Sequence, residues 1–362
     1  MNFSEIHLRV KLNSEFISRS WKHTLSICLC MVFSCMGLSQ EATFKNPIRN
    51  GADPWVFQKG DHYYYCSSSG GSIAISKSSK LTDHGVFQKV WDAPDQGWNS
   101  ANIWAPELHF INSHWYIYYA AGKKSGGPFI HQKSGVLKSV GKDPFGPYED
   151  KGMLYTGDDI TDPGSVKWAI DLTPFKHEGS LYAIWSGWKI DSETDRTPQH
   201  LYIAKMSDPT TISSNRVKIS SPEESWETGG ELDLNEGPQV LKNKNLTFII
   251  YSTRESWLKD YRLGQLKLKD STLDPLVPEN WIKNGPVFLG NHAVHGVGHC
   301  SFAKSPDSSE DWILYHSKKV ADPGWNRDIR LQPFKWRVDG SPDFGNPVSL
   351  DKRIPVPSGE KE

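Results

Sequence analysis

The sequence predicts an all-β protein, a five-bladed β-propeller, and three observations carry that expectation. One pattern recurs five times between residues 52 and 317, and in each copy two apolar runs flank a polar turn. Nowhere after residue 40 do apolar residues sustain the i, i+3, i+4, i+7 spacing of an amphipathic helix. The 23 Pro and 30 Gly, spread along all 362 residues, interrupt helices further.

The copies read ADPWVFQKGDHYYYCSS (52–68), APELHFINSHWYIYYAAG (105–122), AIDLTPFKHEGSLYAIWSG (169–187), NEGPQVLKNKNLTFIIYST (235–253) and GHCSFAKSPDSSEDWILYHS (298–317). Each joins its two runs through Gly, Asn, Asp or Ser, the composition of a β-hairpin turn. With Asp53, Glu107, Asp171, Glu236 and His299 as markers, the copies are spaced by 54 to 65 residues. That period fits a four-stranded blade with generous loops. A sandwich would explain the strands but not a polar residue heading every copy. In a propeller the first strand of each blade lines the central channel, so those heads converge on the axis.

Ahead of the repeats, Arg9, Lys11, Arg19 and Lys22 precede an apolar run over 24–34 and small residues up to Gln40. This is the order of a secretory signal, so residues 1–39 read as a signal peptide and 44–357 as the propeller. The apolar run is too short to span a bilayer. The protein is therefore expected outside the cytoplasm, periplasmic or extracellular, with Cys35 as a lipoprotein anchor in the second reading. The tail Pro355–Glu362 is polar and expected to be loose.

Three of the five cysteines lie in that leader, which leaves Cys66 and Cys300. Their spacing is not that of metal ligands. Two buried free thiols are the expected state, with a disulfide as the alternative. Forty-one basic residues balance 42 acidic ones, so a polyanion partner such as nucleic acid is not expected. Fifteen Trp offer flat apolar faces of the kind that stack on sugar rings.

Asp53, Asp171 and Glu236 head three of the copies among apolar or small neighbours. Hydrolysis of a glycosidic bond needs a proton donor for the leaving oxygen and a base or nucleophile on the other face. A third carboxylate beside the donor raises its pKa by like-charge repulsion. Singly, each acid is an ordinary turn former or strand cap. At matching places in a repeat they form a constellation.

The chain resembles glycoside hydrolase family 43 over roughly residues 44–350. The likeness rests on Asn46-Pro47-Ile48 with Ala52-Asp53-Pro54, then Trp104-Ala105-Pro106-Glu107, Ile170-Asp171, Asn235-Glu236-Gly237-Pro238, Gly298-His299, and Arg330 with Trp336, Asp339, Gly340 and Pro342. The resemblance implies an inverting hydrolase with Asp53 as general base, Glu236 as general acid and Asp171 tuning the acid. It further implies sugar contacts from Trp104 and Arg330. His299 would stand near the axis and contact a structural calcium ion, largely through water. Glu107 would support the pocket without reacting. No cofactor is implied for the chemistry.

The Ala-Asp-Pro-Trp opening resembles the α-L-arabinofuranosidases of the family. The expected substrate is terminal arabinofuranose on arabinan or arabinoxylan, that is, plant cell-wall polysaccharide or oligosaccharide. β-Xylosidase or arabinanase action remains the alternative within the family. Outside it stand a non-catalytic carbohydrate-binding propeller and a propeller interaction protein. The sequence assigns no role to the Asp/Glu/Thr-rich segment between Trp188 and Gln199.

Overall fold

The second strand of every blade is an almost unbroken apolar run, for example Tyr63-Tyr64-Tyr65-Cys66 and Trp115-Tyr116-Ile117-Tyr118-Tyr119. Alternation of side chains along a strand then demands burial on both of its faces. A computed structural model describes residues 42–361 except Glu193 and meets that demand. The signal-peptide segment 1–39 and Cys35 lie outside the described residues.

Five antiparallel sheets follow one another along the chain. Blade I comprises Trp55–Lys59, His62–Ser68, Ser72–Ser78 and Gln88–Asp92. Blade II comprises Ala101–Ile111, His114–Gly122, Lys133–Ser139 and Tyr148–Met153. Blade III comprises Ala169–His177, Ser180–Trp188 and Gln199–Asp208, with Thr211–Ile212 and Val217–Ser220 sharing its outer edge. Blade IV comprises Asn235–Asn243, Leu246–Thr253, Arg262–Leu268 and Trp281–Leu289. Blade V comprises His295–Lys304, Asp311–Lys318 and Arg327–Trp336, and its edge strand is Arg49–Asn50 from before blade I. The five-bladed propeller is thus the observed fold.

The alternation feeds one apolar core at each seam between blades. Tyr116 and Tyr118 pack with Ala183 and Trp185 between blades II and III. Their neighbours Trp115, Ile117 and Tyr119 pack with Tyr64 and Cys66 between blades I and II. Tyr182 and Ile184 meet Ile249 and Tyr251 between blades III and IV, while Phe248 and Ile250 meet Ile313 and Tyr315 between IV and V. Trp312 and Leu314 meet Tyr63 and Tyr65 between V and I, which closes the ring. Cys66 and Cys300 are free thiols buried in two of these cores.

The last seam is crossed where Arg49–Asn50, paired in blade V, runs on into Trp55 of blade I, and the ends of the domain add a second link. Thr43–Phe44 pairs with Ile354–Pro355. Beyond that pair the tail is docked, which corrects the expectation of a loose end. The Glu360 carboxylate accepts the backbone N–H groups of Leu81 (2.8 Å) and Thr82 (3.2 Å), and Ser358 N–H donates to Glu310 (3.0 Å). Buried N–H groups outside a strand need acceptors, and the tail provides them.

Candidate active site

At or near the start of each inner strand an equivalent residue lies in the left-handed backbone region. These residues are Asp53 (φ 49°), Ala105 (40°), Asp171 (56°), Gly237 (55°) and His299 (46°). In blades II to V a slip in strand pairing accompanies the kink, between Trp104 and Glu107, Ile170 and Thr173, Glu236 and Gln239, and Gly298 and Cys300. A β-bulge of this kind re-aims the side chain it carries. The equivalent residues are therefore Ala105 in blade II and Gly237 in blade IV, which corrects two of the markers read from the sequence. Glu107 stands two residues past the kink and Glu236 one residue before it.

Three of these inner strands bring their acids to one cavity of about 570 Å³, lined by Asp53, Asp171, Glu236, His299 and Trp104 among others. Its rim follows from topology. The loop between the second and third strands lies at the same end of a blade as the start of the first strand. Those loops (123–132, 189–198, 254–261 and 319–326) deliver Phe129, Asp195 with Arg196, Ser256 with Trp257, and Trp325 to the cavity. The segment after Trp188 with no role assigned from sequence is thus a pocket wall. In blade I this loop is only residues 69–71.

Asp53 keeps 26% of its side chain open and has three basic neighbours: His299 Nδ1 at 3.4 Å, Arg327 Nη1 at 3.4 Å and His316 Nδ1 at 3.2 Å from Oδ1. Burial works to raise its pKa, but His299, Arg327 and His316 outweigh it and hold the carboxyl well below the usual range. His316 is fully buried, which pushes its own pKa down to about 3, so it faces Asp53 as a neutral ring. Its Nδ1 also lies 3.2 Å from the Asp53 backbone nitrogen. One tautomer accepts that N–H and the other donates to the carboxylate.

Asp171 and Glu236 experience the opposite field. Asp171 is 4% exposed, and burial raises its pKa; His299 opposes this, while Glu236 and Asp53 add to it. Its Oδ2 accepts the Gly237 N–H at 2.9 Å, which ties blade III to blade IV. Glu236 is 9% exposed and raised chiefly by burial, against the pull of a 2.8 Å hydrogen bond from the Tyr261 hydroxyl. The two titrate as a pair near pH 7. Near neutrality the cavity thus holds Asp53 ionised and a proton shared between Asp171 and Glu236, with the second charge of that pair on the partner.

Below the kinks Glu107, Thr173 and Gln239 meet in the next tier. Burial raises Glu107 to about 8, although Thr173 and Gln239 hydrogen-bond it. Burial also lowers His109 to about 3. Their 2.9 Å contact is therefore a neutral hydrogen bond, with the Glu107 O–H donating to His109 Nε2. Glu107 supports the axis from beneath and does not line the cavity.

Trp104 lines the cavity and packs on Phe129, with ring centroids 5.3 Å apart. Arg330 does not reach it. That side chain is 2% exposed and donates to Ser317 Oγ and to the Val348 carbonyl. A displacement of three residues along a strand reverses the facing side, so Arg327 on the same strand points to Asp53 and Arg330 points away. The sequence reading missed Arg327; the alternation of apolar Ile329 and Leu331 with polar Arg330 and Gln332, which sets Arg327 on the face opposite Arg330, was the available signal. It also missed Tyr261 and His316, whose significance depends on contacts between blades.

Around His299 the donor set is poor for calcium, which takes six to eight oxygens. Among the described residues no group of three or more His, Cys, Asp or Glu is placed to hold a metal ion. An ion there would draw its ligands mainly from water.

A family model described as "Glycosyl hydrolases family 43" matches residues 44–342. The chain is 35% identical over 327 residues to an extracellular exo-α-(1→5)-L-arabinofuranosidase of Streptomyces avermitilis, covering 86% of this chain and 65% of that protein. It is 31% identical over 353 residues to α-L-arabinofuranosidase 43 of Humicola insolens, covering 93% of this chain and 68% of that one. This chain thus spans about two thirds of the length of these relatives. The crystal structure of an α-L-arabinofuranosidase from Lactobacillus brevis superposes with a TM-score of 0.76 at 29% identity, covering 85% of this chain and 98% of the other.

Proposed function

The chain belongs to glycosyl hydrolases family 43, and on that premise we propose that it is an inverting glycosidase that releases terminal α-L-arabinofuranose from arabinan or arabinoxylan. The observation that carries this reading is the split in protonation across one cavity. Asp53 is held ionised beside His299 and Arg327, while burial raises Glu236 and Asp171 to about 7, so that this pair keeps a proton up to neutrality. A hydrolase that inverts its substrate needs one of each.

Asp53, the most open of the three, accepts a proton from a water whose oxygen attacks the anomeric carbon. The bond from that carbon to the leaving oxygen breaks as Glu236 gives its proton to that oxygen. Asp171 repels charge on Glu236 and so keeps it an acid. Inversion calls for a gap of about 6.5–9.5 Å between the base and acid carboxyls. No metal enters these steps. Trp104 offers an apolar face to the bound sugar.

The arabinofuranose assignment rests on the relatives at 31–35% identity, which are named arabinofuranosidases. The first of them is named extracellular, which supports export of this chain. No helix among the described residues is long and apolar enough to cross a membrane.

The test is release of para-nitrophenol from the α-L-arabinofuranoside and the β-D-xyloside side by side. Turnover of the arabinofuranoside is expected, with the β-anomer of arabinose as first product by NMR. Turnover of the xyloside alone would replace the substrate. Binding of arabino-oligosaccharide without any turnover would leave the non-catalytic carbohydrate-binding reading.

A further inference from the structure

Lys318 is 2% exposed, a rare setting for an ammonium group. The chemistry above does not use it. Its Nζ donates to the carbonyls of Trp257 (2.8 Å) and Gly324 (2.6 Å), and Gly324 N–H donates to the same Trp257 carbonyl (2.8 Å). The side chain is sealed by neighbours as well, since a Cβ at Gly296 would meet Lys318 Cγ at 2.8 Å. A buried cation needs acceptors. Here they come from two different mouth loops, 254–261 of blade IV and 319–326 of blade V.

Those loops present Trp257 and Trp325 to the cavity that holds the carboxylates. Their ring centroids are 5.2 Å apart, and Trp325 is 51% exposed and stacks on Phe129 at 6.0 Å. A half-exposed Trp on a fixed loop leaves an apolar face unfilled, at the edge of a cavity proposed to hold sugar. The blade IV loop has a second tie, because Tyr261 at its far end donates to Glu236. Trp325 in turn lies over Arg327, which contacts Asp53, so the face stands above both the acid and the base, at the mouth through which the rest of a substrate held at the carboxylates must leave.

We propose that Trp257 and Trp325 form a stacking face for the sugar ring beyond the scissile bond, and that Lys318 is the positioning residue that fastens their two loops into one surface. This rests on the hydrolase reading and adds to it where the second ring binds and what holds that place in shape.

The experiment compares kcat/KM on α-1,5-arabinobiose with that on methyl α-L-arabinofuranoside, which has no second ring. Wild type, Trp325→Ala, Lys318→Met and Lys318→Arg are measured, with melting curves for each. The biose-to-methyl ratio is expected to fall about tenfold in Trp325→Ala and Lys318→Met, the equivalent of ~1.4 kcal/mol of stacking. Lys318→Arg should recover part of it. General loss of structure would lower both rates together and leave the ratio in place. If Lys318→Met does not fold, Trp325→Ala and Lys318→Arg decide. A wild type that cleaves both substrates, with the same ratio in every folded variant, overturns this proposal alone. A wild type that cleaves neither overturns the arabinofuranosidase reading and this one with it.

Discussion

Tyr261 joins the two sides of the cavity: its hydroxyl donates to Glu236 Oε1 at 2.8 Å, and its ring lies nearly parallel to His316 (10°, centroids 5.3 Å apart), the imidazole that touches Asp53. A fully buried phenol and a neutral imidazole thus space the acid from the base.

Replacing Tyr261 by Phe removes a bond that favours the ionised form of Glu236. Its pKa should rise further, and the basic limb of the pH–rate profile should move to higher pH. Loss of the bond's aim should lower kcat by about tenfold. A profile that stays in place would show that Tyr261 only fills space.

For the wild type, arabinofuranoside hydrolysis should decline as pH rises through about 7, where the Asp171–Glu236 pair loses its proton. Asp53 is held below the usual carboxylate range, so it sets no acid limb above pH ~4. Initial rates from pH 4 to 9, on enzyme shown to stay folded, check both statements.

Asp171→Asn should abolish most of the activity and yet stabilise the fold at high pH. A carboxyl raised in the folded state binds its proton more tightly there than in the unfolded chain, whose value is ~3.9. Its stability contribution is complete below that value, declines as pH rises through about 7, and is flat above. Asn escapes that loss, which is worth roughly 1–3 kcal/mol. Calorimetry at pH 4 and pH 8 should show the variant's relative Tm rising between the two. An equal difference at both would contradict the burial argument.

Glu360→Ala should unlock the tail from blade I. Three hydrogen bonds to a charged acceptor are lost, from the Leu81 and Thr82 N–H groups and the Thr82 hydroxyl, for a cost of about 1–3 kcal/mol in stability. Turnover at 25 °C should be unchanged, since the residue stands outside the cavity. An unaltered Tm would show that the strand pairings of Arg49–Asn50 and Thr43–Phe44 close the ring without the docked tail.

The propeller was legible because every blade's second strand must be buried on both faces, which writes runs such as Phe248-Ile249-Ile250-Tyr251 into the sequence. The three carboxylates were legible because they recur at nearly the same place in the repeat. Exact equivalence was not, because a left-handed kink is a backbone property that Ala105 and Gly237 satisfy as well as Asp53 does. Polar character therefore misplaced the marker onto Glu107 and Glu236. Arg330 was mistaken for the pocket arginine because composition carries no facing side; the pairing of Tyr315 with Arg330 and of Lys318 with Arg327 fixes it. The docked tail was hidden because its acceptor, Glu360, bonds a turn in the opposite part of the chain.

The five recurring kinks divide the labour of the molecule. A side chain in the left-handed region costs of order 1 kcal/mol or more relative to Gly, and four of the five blades bear that cost. The backbone bend alone decides where a group is delivered, and the residue riding on it decides what arrives. Reactivity can thus be rewritten at one spoke while the hub keeps its geometry, with glycine as the blank that every spoke accepts.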